Sequence, residues 1–184
     1  MKFNNFKIVS DDNELIRTKS ENVSLPLSDE DKQLLMDMLN YVRASQKSEI
    51  VEEYGITPAV GIAAIQVGVP KKMLAIVVPY GEDDVDEFAL VNAKIISESK
   101  QKTYLKDGEA CLSVPNTKKG YVPRAARIKV KAYDLLSDAE IIIEADDYLA
   151  IVLQHEIDHF SGKLYYDRIN KNNPWEEIED AIVI

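Results

Sequence analysis

His155, Glu156 and His159 stand in the run His-Glu-Ile-Asp-His. On an α-helix four residues amount to about 400° of rotation and ~6 Å of rise, so the two imidazoles point to the same side and can share one metal ion. Glu156 lies about 100° round from His155, too far to join the same ion easily but close enough to reach a water held on it. This geometry assigns the carboxylate to proton transfer and the imidazoles to ligation. His155 and His159 are the only histidines among the 184 residues, and Cys111 is the only cysteine. A catalytic site with three protein ligands and an open position needs one more donor, which must come from Cys111 or from a carboxylate. Taken alone, the five-residue pattern is only moderately specific, and a solitary cysteine is ordinarily a small buried apolar residue.

The elements needed to hold such a site are legible. Tyr148, Ile151, Val152, His155 and His159, with Leu149, Leu153 and Ile157 on neighbouring faces, predict a largely apolar core helix ended by Gly162. Ile151 and Tyr148 lie one and two turns before His155 on the ligand face, with Val152 beside them, and can wall an apolar pocket; plain core is the competing reading. Upstream, Ser28 is a good N-cap, with Asp31 three residues on, and Leu34, Leu35, Met38, Leu39 and Val42 follow at helical spacing. A helix over 28–53 is expected, stopped by Gly55 and Pro58 and preceded by a loosely held opening segment that ends at Pro26. Ala59 to Gln66 reads as a tight connection. Strands are expected at Met73 to Val78, Phe88 to Ile96, Arg127 to Tyr133 and Glu140 to Glu144, mostly antiparallel, with the acidic loop Gly81-Glu82-Asp83-Asp84 as a hairpin tip. Lys163 to Tyr166 is expected to return as a strand, and Pro174 to open a short terminal helix.

Bulk properties narrow the function classes. A chain of 184 residues fits one domain spanning 1–184, able to bury roughly 70% of the surface its unfolded form exposes. One cysteine cannot form an internal disulfide, and neither an apolar targeting run nor a stretch of ~20 apolar residues is present, which predicts a cytoplasmic protein with no membrane partner. A formal charge of −10 repels phosphate backbones and excludes free nucleic acid as a substrate.

Three segments, in order, resemble the three signature motifs of the peptide deformylases. Ala59-Val60-Gly61-Ile62-Ala63-Ala64-Ile65-Gln66 is similar to the family's glycine, apolar, glycine, apolar, Ala-Ala, any residue, Gln. Glu109-Ala110-Cys111-Leu112-Ser113 is similar to Glu-Gly-Cys-Leu-Ser, and Gln154 to His159 matches Gln-His-Glu, two residues, His. Each motif alone is a hint; the ordered triplet, spanning most of the chain, is highly specific. The long first helix and Glu52-Glu53-Tyr54-Gly55 look like the larger Gram-positive-type members.

The resemblance implies an α+β fold: antiparallel β-sheets packed around a central metal-binding α-helix, with a long N-terminal helix and a short C-terminal helix. It implies removal of the formyl group from the N-terminal formylmethionine of a nascent peptide, with release of formate. One divalent metal ion is implied, Fe(II) in the cell, with nickel, cobalt or zinc able to occupy the site. Carried over by position, Cys111, His155 and His159 are the ligands, Glu156 the acid/base, and Gln66 with the backbone N–H of Leu112 the oxyanion hole. Gly61 belongs to the substrate-binding motif, Tyr148, Ile151 and Val152 to the methionine pocket, and Arg124 pairs with Glu109 to brace the cysteine loop. A thiolate and two neutral imidazoles leave about one net positive charge on a divalent ion, enough to acidify a water. Two residues depart from the pattern. Ala59 and Ala110 replace motif glycines, and where such a backbone position needs positive φ, alanine costs about 1 kcal/mol.

Two other functions compete. A zinc metalloprotease would take Glu179, about twenty residues after His159, as its third ligand, with Pro174 intervening. A noncatalytic or catalytically altered relative would use the same fold to hold nascent chains, the ribosome or another formyl or acyl peptide. Docking on a ribosome would need a local basic patch, for which Lys118, Lys119 and Arg124 are the candidates.

Overall fold

The computed structural model describes residues 5–81 and 84–184. After a 3-10 turn at Glu14–Arg17 come helices α1 (Asp29–Ser45) and α2 (Ser48–Tyr54), strand β1 (Gly61–Ala63) and a 3-10 turn at Ala64–Val67. Strands β2 (Met73–Pro79), β3 (Val85–Glu98), β4 (Lys102–Tyr104), β5 (Arg124–Ala125), β6 (Arg127–Asp134) and β7 (Ala139–Asp146) lead into helix α3 (Asp147–His159). A 3-10 turn at Tyr165–Arg168 and strand β8 (Ile182–Val183) close the chain. Five strands form an antiparallel sheet in the order β1-β2-β3-β6-β7, and β5-β4-β8 form a small second sheet in which β8 runs parallel to β4.

The period of two in β2 explains how the large sheet is covered. Leu74, Ile76 and Val78 face one apolar cluster, shared with Ala150, Val152 and Leu153 of α3. Met73, Ala75 and Val77 face the other, shared with Leu35, Met38, Leu39 and Val42 of α1. Both faces of β2 are therefore buried and its sequence is a continuous apolar run, whereas β6 alternates buried Ile128, Val130 and Ala132 with exposed Arg127, Lys129 and Lys131. The sheet carries α3 on one side and α1 on the other, an α+β arrangement built around the helix with the two histidines.

Several local expectations give way to tertiary contacts. The helix expected over 28–53 is two helices, because the chain breaks at Gln46 and Lys47. The Gln46 side chain leaves the helix surface to donate to the carbonyls of Ala59 and Val77, at 3.0 and 2.8 Å. The Ser28 hydroxyl caps α1 by accepting from the Asp31 N–H at 3.1 Å, while the Asp31 carboxylate pairs with Lys71. Lys163 to Tyr166 is not a strand. The chain turns there into 3-10 helix because the Asp167 carboxylate accepts from the Leu164 N–H at 2.8 Å and pairs with Arg17. No C-terminal helix forms after Pro174. Trp175 packs edge-on against Tyr121, and the last residues bond to β4 instead, Ile184 N–H donating to the Tyr104 carbonyl at 3.0 Å. The opening segment, expected to be loose, is pinned: Ile16 is fully buried, and Ser20 N–H donates to the Phe160 carbonyl at 2.9 Å. The acidic tip joins β2 to β3 as expected, Tyr80 N–H donating to Asp84, with Glu82 and Asp83 outside the described residues.

Helix α3 ends in a Schellman arrangement, with Lys163 N–H on the Asp158 carbonyl, Gly162 N–H on the His159 carbonyl, and Gly162 at φ +68°. The Arg17 carbonyl oxygen lies 2.0 Å from where a Cβ on Gly162 would stand. Gly162→Ala combines left-handed strain with overpacking, and should destabilise the fold by about 3 kcal/mol, seen in a thermal melt as a Tm lower by roughly 10 °C.

Candidate active site

Three chain segments far apart in sequence converge at one end of the sheet. Helix α3 contributes His155, Glu156 and His159. The loop spanning 105–123 contributes Glu109, Cys111, Leu112 and Ser113, and β1 with its following turn contributes Gly61 and Gln66. A metal-ligating atom from each of Cys111, His155 and His159 lies within 4.8 Å of the other two. Cys111 Sγ and His159 Nε2 stand 3.5 Å apart. Ligand atoms around a tetrahedral ion with bonds of 2.0 to 2.3 Å are roughly 3.3 to 3.6 Å from one another, so Cys111 and His159 already stand at ligand spacing and His155 lies close enough to converge with them on one ion. Glu179 is exposed and not part of this cluster, which removes it as the third ligand.

The ring of His155 is fixed from behind. Its Nδ1 is 2.7 Å from a Glu109 carboxylate oxygen, which leaves Nε2 for the ion, and Tyr165 stacks on it at 17° between ring planes. Arg124, buried, donates through Nε and one terminal nitrogen to the two Glu109 oxygens at 2.9 and 2.8 Å, and through the other to Asp158 at 2.5 Å. Arg168 grips the same Asp158 carboxylate with two bonds of 2.6 and 2.7 Å. The run Arg168, Asp158, Arg124, Glu109 thus alternates in charge, ends on the His155 ring, and joins the cysteine loop to α3. Arg124 lies inside this run and is removed from any surface basic patch; Lys118 and Lys119 are exposed.

Glu156 is buried, and its Oε2 has no hydrogen-bond partner among the described residues. It is pressed against Gly61: a Cβ there would stand 2.5 Å from Glu156 Oε1, so only glycine lets the strand approach the carboxylate this closely. The orientation of Gln66 is set by its Oε1, which accepts from the Ala63 N–H at 2.8 Å. Its Nε2 is thereby aimed into the site, 3.4 Å from Cys111 Sγ and 3.2 Å from Ser113 Oγ. A cavity of about 710 Å³ opens beside these groups, and Leu112, Tyr148, Ile151 and Val152 lie along its walls.

The sequence model of the polypeptide deformylases matches residues 5–175. The chain belongs to that family. It is 45% identical over 177 residues to peptide deformylase 2 of Bacillus subtilis (strain 168), covering 96% of each chain. With the peptide deformylase of Ligilactobacillus salivarius (strain UCC118) it shares 44% over 180 residues, again 96% of each. Among solved structures, the peptide deformylase from Ehrlichia chaffeensis in complex with actinonin aligns with a TM-score of 0.75 and 32% identity, over 94% of this chain and 91% of that one.

In this deformylase chain the two departures from the family pattern carry no backbone strain. The non-glycine residues with positive φ among those described are Asn92, Asp138, Asp147 and Asp180, so Ala59 and Ala110 sit where alanine is at ease. Both line the cavity, so the substitutions change its shape rather than its stability. Asp158, Arg168 and Tyr165 were not singled out from the sequence. Asp158 lies inside the His-Glu-Ile-Asp-His run, but nothing in helical periodicity tells that Arg124 and Arg168 meet it there.

Electrostatics follow from burial and these partners. Burial alone would raise Glu109, yet Arg124 and His155 hold its carboxyl down at about 2. Burial likewise opposes ionisation of Asp158, and Arg168 and Arg124 overcome it. Glu156 has no hydrogen-bonded cation among the described residues, and burial outweighs the more distant pull of His155 and Arg124 to push its carboxyl up to about 7. Burial, helped by the neighbouring His155, holds His159 well below the usual imidazole range, in the neutral form a ligand requires.

Arg124→Met leaves Glu109 buried without its cation and Asp158 with Arg168 alone, and should cost about 3 to 5 kcal/mol in a denaturant titration. Glu109, whose carboxyl lies lower folded (about 2) than its ordinary 4.5, stabilises the fold fully above pH 4.5, and this contribution fades as the pH falls through about 2. Acid titrations should therefore show a shallower loss of stability in Glu109→Gln than in the parent over that window.

Proposed function

We infer that this chain is a metal-dependent amide hydrolase that removes the formyl group from the N-terminal formylmethionine of newly made polypeptides. The observation that carries this reading is the meeting of Cys111, His155 and His159 around one ion-sized point, with the buried carboxylate of Glu156 beside them, its Oε2 unpartnered among the described residues. When bound, the ion supplies a Lewis acid that polarises the formyl carbonyl and acidifies water.

Every other part of the reaction falls to the chain's own residues. Glu156 takes a proton from the attacking water, and a carboxyl pushed up to about 7 by burial is matched to that work near neutral pH. The water oxygen bonds to the formyl carbon, the C–N bond breaks, and Glu156 hands the proton to the departing amine, leaving formate and a free methionine N-terminus. Charge gathering on the formyl oxygen is met by Gln66 Nε2, redirected from Cys111 Sγ, and by the backbone N–H of Leu112. Tyr148, Ile151 and Val152 wall the methionine side chain, and Gly61 lets the strand come close to the reacting carbon. Glu109 and Arg124 hold His155 in place from behind.

Fe(II) is the cellular ion by family resemblance, and the thiolate and imidazole donors equally suit nickel, cobalt or zinc. We place the protein in the cytoplasm, meeting nascent chains at the ribosome, with exposed Lys118 and Lys119 as its nearest basic docking residues. No helix among the described residues is long and apolar enough to cross a membrane.

Formate release from a formyl-Met-Ala-Ser peptide, with protein prepared without oxygen and loaded with Fe(II) or Ni(II), tests the reading. Glu156→Ala should retain its metal and lose about 100-fold or more in kcat. Cys111→Ala should lose the metal, measured by elemental analysis after desalting. A Cys111→Ala protein that keeps its ion and its turnover would sink the ligand assignment, and a metal-loaded parent that releases no formate would sink the activity.

A further inference from the structure

The break between α1 and α2 coincides with a clamp on the wall of the cavity. Ser45, fully buried at the end of α1, accepts from the Ala59 N–H at 3.1 Å and donates to the Val42 carbonyl at 2.8 Å. Gln46, the next residue, places its amide nitrogen between two carbonyl oxygens, those of Ala59 at 3.0 Å and Val77 at 2.8 Å. Both backbone groups of Ala59 are thus held by the last turn of α1. The Val60 carbonyl accepts from the Val77 N–H at 2.9 Å, which extends the β1–β2 pairing by one residue beyond Gly61.

This stretch is an outermost part of the large sheet, since β1 has a sheet neighbour only in β2. Pro58, Ala59, Val60 and Gly61 line the cavity, and Gln46 lines it too. The wall starts against Glu156, where Gly61 touches the carboxylate, and runs back to Ala59. Two residues of extended chain span ~7 Å, so a peptide whose formyl group sits beside Glu156 reaches the clamped residue with the positions that follow its methionine. The clamp is chemically specific. Two carbonyl oxygens converge on one amide nitrogen, and without a donor between them their lone pairs face each other, so the wall at Ala59 shifts away from Val77 even though the Val60–Val77 and Ser45–Ala59 bonds still tether it.

We propose that Gln46 is a positioning residue for the peptide part of the substrate: by bridging the carbonyls of Ala59 and Val77 it holds the cavity wall at the distance from α3 that the peptide requires. The inference rests on the deformylase reading above and adds to it a residue outside the three motifs. The ion ligands and Glu156 are carried by α3 and the cysteine loop, and Gln66 is held by the Ala63 N–H, four residues on from the clamped Ala59, so loss of the clamp acts mainly on substrate affinity rather than on the chemical step.

Steady-state formate release from formyl-Met-Ala-Ser by Ni(II)-loaded protein should separate the two effects. Gln46→Met, which keeps the length and removes the donor, should raise KM about tenfold, as the loss of one to two hydrogen bonds implies, with kcat within about twofold of the parent. Gln46→Glu, which puts acceptors against two carbonyls, should raise KM further. Gln46→Lys, whose ammonium can donate to both, should restore it. Calorimetric Kd values for the same peptide in a Glu156→Gln background should follow the same order without turnover. Absence of formate release by the parent would therefore count against the deformylase reading, while the order of Kd values would still decide the role of Gln46. KM and Kd unchanged in Gln46→Met and Gln46→Glu would overturn the proposal. So would a fall in kcat that tracks the Tm with KM unmoved, since that is the mark of a purely structural residue.

Discussion

The buried guanidinium of Arg124 ties the two halves of the site together. It is desolvated between Glu109 and Asp158, and burial of three charges in the interior is favourable only when the geometry is close and the hydrogen-bonding capacity is filled. Here the fork of the guanidinium spans both carboxylates, Arg168 takes the remaining side of Asp158, and His155 takes an oxygen of Glu109. The consequence is positional. Glu109 is two residues from Cys111, Asp158 is one from His159, and His155 is itself a candidate ligand, so one ionic run sets the distance between the loop that brings sulfur and the helix that brings nitrogen. A site assembled from separate segments needs such a brace, because each segment alone has no reason to stop within bonding distance of the others.

The rest of the fold supplies a rigid seat for that brace. Helix α3 is apolar on most of its circumference and lies against β2 and its neighbours, while α1 covers the opposite face. Its C-terminal end is held by the opening segment, with Arg17 packed over Gly162 and Ser20 bonded to the Phe160 carbonyl. Packing along the sheet and at this end leaves the helix little freedom to slide. The same burial that steadies it desolvates the Glu156 carboxylate, raising its pKa, and keeps His159 neutral. Structural stability and the protonation states of the site thus share one cause.

Where local chemistry governs, the sequence was readable. The Ser28 cap, the apolar spacing of α1 and α3, the alternation in β6 and the turn at Gly162 are properties of neighbouring residues, and each element appears where its pattern lies. Readings failed where a distant partner outbid local preference. The spacing of α1 runs on past Ser45, but Gln46 finds two carbonyls more than a dozen residues away and ends the helix. Pro174 resembles a helix start, yet the residues after it find Tyr104 on β4 and Tyr121. The Arg124 partnership with Glu109 could be suspected from motif resemblance; Asp158 and Arg168 could not.

By itself the sequence determined the chemical inventory: one thiol, two imidazoles at helical spacing with a carboxylate between them, and three ordered segments that resemble deformylase motifs. It also determined most of the elements that carry these groups, because helix caps, apolar periods and glycine turns act over a few residues. Tertiary structure decided which carboxylates face which cations, which side of Gln66 looks into the site, and how closely Gly61 approaches Glu156. These are contacts between segments tens of residues apart, selected by the packing of the whole core, and no local pattern encodes them.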